Sequence, residues 1–222
     1  MYKCIVFDMD GTLVNSYQGI ERAYRRTFAE LGRDFPGEAF VRRAIGAPLP
    51  QVFEKMCGMN PEETADAVRA YRAYYDKKGK YEAVVYAGME ETLRTLKAAG
   101  LSLGVATLKN KAFAEDILRQ GSLFPYFDTV HGMDRDDRFT KADLIRGCMR
   151  DTGAAEKETV LVGDSPYDAD GAAAAGVAFL AVTYGFGFSD RDKPQAVGAA
   201  WTADAPRDIP VLLGLRETVT ES

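Results

Sequence analysis

The chain alternates short apolar runs with amphipathic stretches over most of its length. Compact apolar runs bounded by turn residues occur at 4–7, 101–106, 127–130, 159–162 and 177–182. Runs this short predict buried strands. Between the later ones, apolar residues recur every three or four positions: Met89, Leu93 and Leu96; Phe113, Ile117 and Leu118; Leu144, Ile145, Cys148 and Met149. That spacing lines one face of a helix. Strand alternating with helix predicts an α/β fold with a parallel, doubly wound sheet.

The interval from 15 to 83 breaks the alternation, because it carries only helical signals. Tyr17, Ile20, Tyr24, Phe28 and Leu31 form an apolar stripe that Gly32 can end. Asn60-Pro61-Glu62-Glu63 reads as the capped start of a helix bearing Val68, Tyr71 and Tyr75. The expected division is a Rossmann-like core at 1–14 and 84–222 with an inserted all-helical cap at 15–83. Its two connections, around 14–17 and 81–88, are the expected hinge.

Composition narrows the function. The 222 residues are 46% hydrophobic and 27% charged, enough for one sizeable core and a smaller appendage. A formal net charge of -5 lacks the basic footprint that binding to nucleic acid demands. Cys4, Cys57 and Cys148 are scattered without a CxxC pair, which fits buried, reduced thiols better than a disulfide or zinc framework. Neither a signal peptide nor a run of about 20 apolar residues is found, so the cytoplasm is the expected address, away from membranes.

In an open α/β sheet, ligands collect beyond the carboxyl ends of the strands. The first predicted strand leads into Asp8-Met9-Asp10-Gly11-Thr12-Leu13 and the second into Thr107-Leu108-Lys109. The third leads into a loop reaching Lys141, and the fourth into Gly163-Asp164-Ser165-Pro166-Tyr167-Asp168. Carboxylates gathered at one edge repel by roughly 4 kcal/mol per pair at about 4 Å and an effective dielectric near ~20. A bound cation removes that cost. Oxygen donors without a His or Cys cluster favour Mg²⁺, with Asp8, Asp10 and Asp164 as candidate ligands. A calcium loop starting at Asp8 fails, because an EF-hand needs Gly at its sixth position and Glu at its twelfth. Gly11 and Gly19 stand at the fourth and twelfth instead. The run Asp134-Arg135-Asp136-Asp137 fails similarly, since Arg138 occupies a ligand position, and reads as a solvated turn.

In chain order, Asp8-Met9-Asp10-Gly11-Thr12-Leu13, Thr107, Lys141 and Gly163-Asp164-Ser165 with Asp168 resemble the four motifs of the haloacid dehalogenase-like phosphatases. The resemblance covers nearly the whole chain. The helical insert after the first motif looks like the small cap of the phosphoglycolate phosphatase-like branch. Gly132-Met133-Asp134, Arg138-Phe139-Thr140-Lys141 and Tyr184-Gly185-Phe186-Gly187 are similar to stretches of that branch. Asn15, where many members carry Asp, and Ala142, where many carry Pro, depart from its pattern outside the catalytic set.

The resemblance implies covalent phosphoryl transfer. By it, Asp8 attacks phosphorus, and Asp10 protonates the leaving alkoxide and then deprotonates the attacking water. The backbone carbonyl of Asp10 and the side chain of Asp164 complete the magnesium site with Asp8. Thr107 donates to a phosphoryl oxygen, and Lys141 neutralises charge on the phosphoryl group and on Asp8. Thr140 to Asp143 also fits a capping box, putting Lys141 in the first turn of a helix.

Other residues read more plainly. Ser165 to Asp168 is a good helix start, so capping accounts for Asp168 as well as chemistry does, and it stays outside the predicted metal set. Lys109 reads as an exposed charge near the phosphate, His131 as structural, and the cap aromatics as packing. Arg42 and Gly46-Ala47-Pro48 in the cap fit either a face toward substrate or a surface Arg and a turn, and stay outside the predicted site. The expected activity is hydrolysis of a small phosphorylated metabolite, phosphoglycolate-like, by a monomer or weak homodimer. Nucleotidase, pyrophosphatase, phosphomutase and a non-catalytic aspartyl-phosphate switch are the alternatives.

Overall fold

The structure is a computed structural model that describes residues 2–134, 136–188, 194–195 and 197–215. Strand β1 (Cys4–Phe7) runs through β2 (Val14–Asn15) into helices α1 (Tyr17–Glu30), α2 (Glu38–Ala44), α3 (Leu49–Gln51) and α4 (Pro61–Lys77). Strand β3 (Val84–Val85) returns the chain to α5 (Met89–Ala98), β4 (Ser102–Asn110), α6 (Lys111–Gln120), β5 (Thr129–Met133) and α7 (Lys141–Thr152). Then come β6 (Thr159–Gly163), α8 (Pro166–Ala175), β7 (Ala178–Val182), β8 (Trp201–Ala203) and α9 (Asp208–Leu212).

Side chains of β1 alternate between two apolar layers: Ile5 and Phe7 join one, Cys4 and Val6 the other. In β6, Val160 and Val162 go one way and Leu161 the other. Leu93 of α5 and Ile117 of α6 cover the first face, and Ile145 of α7 with Ala172 of α8 the second. Both faces being dry, these strands read as unbroken apolar runs.

The main sheet has the order β5-β4-β1-β6-β7-β8, with each pairing parallel. β1 therefore sits where the strand order reverses, and the carboxyl ends of β4, β1 and β6 open side by side onto one crevice. The sequence pattern gives no sign of β8, because Trp201-Thr202-Ala203 is short and partly exposed at the sheet edge.

All regular structure between Tyr17 and Glu82 is helical. Gly32 follows α1 in the left-handed region at φ 64°, and the Asn60 side chain caps α4 by accepting from the backbone N–H of Glu62 and Glu63. Tyr24 is the hub of the cap core, with ring centroids at 5.2 Å from Phe40, 5.8 Å from Phe53 and 4.8 Å from Tyr71. The two chain connections to this layer are not independent. They pair as an antiparallel ladder, Val14 with Val85 and Asn15 with Val84. Among the described residues, no helix is long and apolar enough to cross a membrane.

Candidate active site

Immediately after β1 the chain coils on itself: the N–H groups of Leu13 and Val14 both donate to the carbonyl of Met9, and Gly11 donates to Val14. Gly11 has φ 91°, a conformation that disfavours side chains. A Cβ there would also collide with the Asp164 carboxylate. The turn thus brings the first motif against the end of β6, and the loop after β7 closes from the far side. Phe186 N–H donates to Asp164 Oδ2 at 2.6 Å and Gly187 N–H at 3.3 Å, while the Tyr184 hydroxyl donates to the Thr12 carbonyl at 3.0 Å.

Asp8, Asp164 and Asp168 are all buried, and each offers a carboxylate oxygen within 4.8 Å of the others. Lys141, the first residue of α7, is drawn into the same cluster, with Nζ 2.5 Å from Asp8 Oδ1 and 2.6 Å from Asp168 Oδ1. Thr140 caps that helix in a reciprocal box with Asp143, so the lysine enters at the positive helix end. Asp168 does two jobs. Its Oδ1 meets Lys141, while its Oδ2 accepts from the N–H and the hydroxyl of Ser165 at 3.0 and 2.7 Å. Capping and membership of the acidic cluster are compatible, and Asp168 belongs beside the residues expected to hold metal.

One lysine cannot balance three buried carboxylates. Burial raises the Asp8 carboxyl, Lys141 opposes it and Asp168 adds to it, and the net position is about 7. Burial and the neighbouring Asp168 and Asp8 hold Asp164 well above its ordinary range. For Lys141, burial opposes the charge, but Asp168 and Asp8 outweigh it and the ammonium is held above the ordinary lysine value. A hard divalent cation fits this donor set: all ligands are oxygen, three carboxylates converge, and a positive charge would relieve their repulsion. The Asp10 side chain lies outside this triad and points to Lys109, so any share of Asp10 in a metal site falls to its backbone carbonyl.

Lys109 departs from its sequence reading. It is no exposed charge: the side chain is 7% exposed, its Nζ is 3.0 Å from Asp10 Oδ2, and it donates to the Tyr75 hydroxyl of α4 at 2.8 Å. Burial works against its charge, yet Asp10 and Tyr75 outweigh that and keep it above the ordinary lysine range. Thr107 is buried one step away and its hydroxyl accepts from Lys109 N–H at 3.2 Å.

Asp8, Asp10, Thr107 and Lys109 share a pocket with Ile20, Tyr24, Tyr71, Tyr75 and Phe113, between the helical layer and the sheet edge. Gly46 and Ala47, which the sequence left open between substrate-facing loop and surface turn, also line it. Asp137, read as part of a solvated turn, is instead held by Arg72 of α4, whose guanidinium donates to both of its oxygens at 2.7 and 2.6 Å. Arg135 of the same run falls outside the described residues. His131 bonds Asp151 at 2.8 Å and does not line the pocket.

Residues 5–182 match the haloacid dehalogenase-like hydrolase family. A 5'-nucleotidase of Pseudomonas aeruginosa is 37% identical over 190 residues, which span 85% of this chain and 86% of that protein. A phosphoglycolate phosphatase of Pseudomonas syringae pv. syringae is 31% identical over 193 residues, 83% of this chain and 70% of the relative. The crystal structure of a predicted phosphatase from Clostridium acetobutylicum superposes with a TM-score of 0.91 at 30% identity, over 97% of this chain and 100% of its own. Family match, inserted helical cap and acidic crevice agree, and the chain belongs to the haloacid dehalogenase-like hydrolases.

Proposed function

We propose that this protein is a Mg²⁺-dependent phosphomonoester hydrolase that works through a phosphoryl group carried on Asp8. The observation that carries the reading is the 2.5 Å approach of Lys141 to Asp8 inside a buried cluster that also holds Asp164 and Asp168. An ammonium held against the nucleophilic carboxylate, together with a divalent cation on the remaining carboxylates, would let Asp8 meet an anionic phosphate with its repulsion offset.

The first step makes a bond from an Asp8 carboxylate oxygen to phosphorus and breaks the bond to the leaving oxygen, which keeps the electron pair and takes a proton from Asp10. In the second, water attacks the same phosphorus, its proton passes to Asp10, and the bond to Asp8 breaks to release inorganic phosphate. Thr107 donates to a phosphoryl oxygen, and Lys141 balances charge on Asp8 and the phosphoryl group. Asp8, Asp164 and the backbone carbonyl of Asp10, with Asp168 alongside, would hold Mg²⁺, which supplies charge stabilisation for the transferring phosphoryl group.

The lining of the pocket supports one order among the candidate substrates. Phosphoglycolate carries a carboxylate away from its phosphate, but Lys109 is paired with Asp10 and Arg72 with Asp137. The remaining lining is largely aliphatic and aromatic, including Ile20, Tyr24, Tyr71 and Phe113. That surface suits a flat, uncharged leaving group. It supports a nucleoside 5'-monophosphate ahead of phosphoglycolate, pyrophosphate or a doubly phosphorylated mutase substrate, and the similarity to a 5'-nucleotidase agrees. Three unpaired thiols, Cys4 and Cys148 buried and Cys57 partly so, suit a reducing cytoplasm.

Phosphate release tests both levels. Wild type and Asp8→Asn are assayed with Mg²⁺ and with chelator on nucleoside 5'-monophosphates and on phosphoglycolate. Release that needs both Asp8 and Mg²⁺ and is faster on the nucleotides is the expected result. Equal release from Asp8→Asn would sink the reading, and a preference for phosphoglycolate would overturn the substrate order.

A further inference from the structure

The sheet loses its regular pairing at one place beside the site. β4 pairs with β5 through Thr107 and Gly132 and next through Asn110 and Met133, so Leu108 and Lys109 fall between consecutive partners. Bulges of this kind re-aim side chains and gather next to active sites. Gly132 leaves room for it, since a Cβ there would stand 2.8 Å from the Lys109 carbonyl oxygen and from Lys111 Cα.

The bulge delivers the Lys109 ammonium between two elements. On the core side lies Asp10 Oδ2 at 3.0 Å; on the cap side lies the Tyr75 hydroxyl at 2.8 Å, with the ring centroid 4.3 Å away. Tyr75 is itself fixed by Tyr71, stacked at 5.6 Å, and by Phe113 at 5.7 Å. The second Asp10 oxygen, Oδ1, is buried and has no hydrogen-bond partner among the described residues. An unpartnered buried carboxylate oxygen is costly unless something uses it.

We infer that Lys109 is a positioning residue for Asp10, and that Tyr75 makes this positioning depend on the seating of the helical layer. The lysine holds Oδ2, leaving Oδ1 as the oxygen that exchanges the proton with the leaving group. When α4 lifts from the core, the Tyr75 contact is lost and Asp10 is no longer held, so the proton is delivered only over a closed pocket. The inference rests on the phosphoryl-transfer reading above. A pair that merely supported the fold would slow every substrate alike. A pair that orients an acid matters most where the leaving oxygen needs a proton.

The test compares kcat/KM on β-glycerol phosphate, whose alkoxide needs protonation, with p-nitrophenyl phosphate, whose phenolate leaves without it. Lys109→Met is expected to lose on the order of 100-fold on the first substrate and less than about tenfold on the second. Lys109→Arg should recover part of the difference. Tyr75→Phe, which keeps the ring packing and so remains informative if Lys109→Met does not fold, should shift the ratio in the same direction by a smaller factor. Equal losses on both substrates in Lys109→Met, or an unchanged ratio in Tyr75→Phe, would overturn the inference. Asp8→Asn separates the two levels: activity retained there removes the phosphoryl-transfer reading itself, whereas an inactive Asp8→Asn with an unchanged ratio in Lys109→Met and Tyr75→Phe removes only their role.

Discussion

Gly171 of α8 lies against the stem of Lys141, in a space where a Cβ would overlap both Cβ and Cγ of the lysine. A glycine inside a helix costs about 1 kcal/mol relative to alanine. Helix stability is thus given up to leave Lys141 its path to Asp8 and Asp168.

Gly171→Ala is accordingly expected to lower kcat by about 10- to 100-fold, because the ammonium is pushed from its position. The gain in helix propensity, about 1 kcal/mol, offsets part of the cost of that overlap, so the rate is to be read on protein that the melt shows to be folded. Initial rates measured beside a thermal melt check this, and an unchanged kcat would show that Lys141 has room to spare.

Asp168 can be dissected by two substitutions. Asp168→Asn keeps an oxygen that can accept from Ser165 N–H but removes the charge facing Lys141; Asp168→Ala removes both. The alanine variant should be the less stable by about 1 kcal/mol, the worth of a cap. Both should raise the Mg²⁺ concentration for half-maximal activity by about tenfold or more. A wild-type Mg²⁺ requirement in the asparagine variant would leave Asp168 only its cap and its lysine.

Stability should depend on pH in a way that Mg²⁺ alters. In the metal-free protein Asp8 is raised to about 7 from an ordinary 3.8, chiefly by burial and net of the opposing Lys141, and Asp164 is raised as well. Between those limits the folded chain holds protons that the unfolded chain has released. This contribution is full below the unfolded value and is lost as pH rises through the folded one. Without divalent cation, Tm should therefore fall from about pH 5 to about pH 8. Mg²⁺ binds the ionised carboxylates, so the rise in Tm on adding it should grow over the same range. A Mg²⁺-induced shift that is flat with pH would contradict the assignment of these carboxylates to the cation.

The core was legible because its physics is local. Strands dry on both faces must read as apolar runs, and Asn60, Thr140 and Ser165 announce their helices by capping chemistry. Asp8 and Asp164 follow strand ends, Lys141 opens a helix and Thr107 lies in the last part of β4, which runs on to Asn110 past the end the apolar run suggests, so their convergence follows from a parallel sheet. What the sequence hid depends on packing between segments far apart in the chain. Lys109 reads as surface because nothing near it announces a bulge, and only the seating of α4 gives it Tyr75. Arg72 meets Asp137 across 65 positions. The space that Gly171 leaves for Lys141 has no sequence signal beyond a glycine among alanines.

The most direct measurement is chemical trapping of the phosphorylated protein. Wild type with Mg²⁺ and a nucleoside 5'-monophosphate is quenched in acid during turnover, digested, and the peptide containing Asp8 is weighed. The account predicts one added phosphoryl group on that peptide, sensitive to hydroxylamine and missing in Asp8→Asn. Rapid phosphate release with no phosphoryl group on the Asp8 peptide at any quench time, or with the group on another residue, would contradict it.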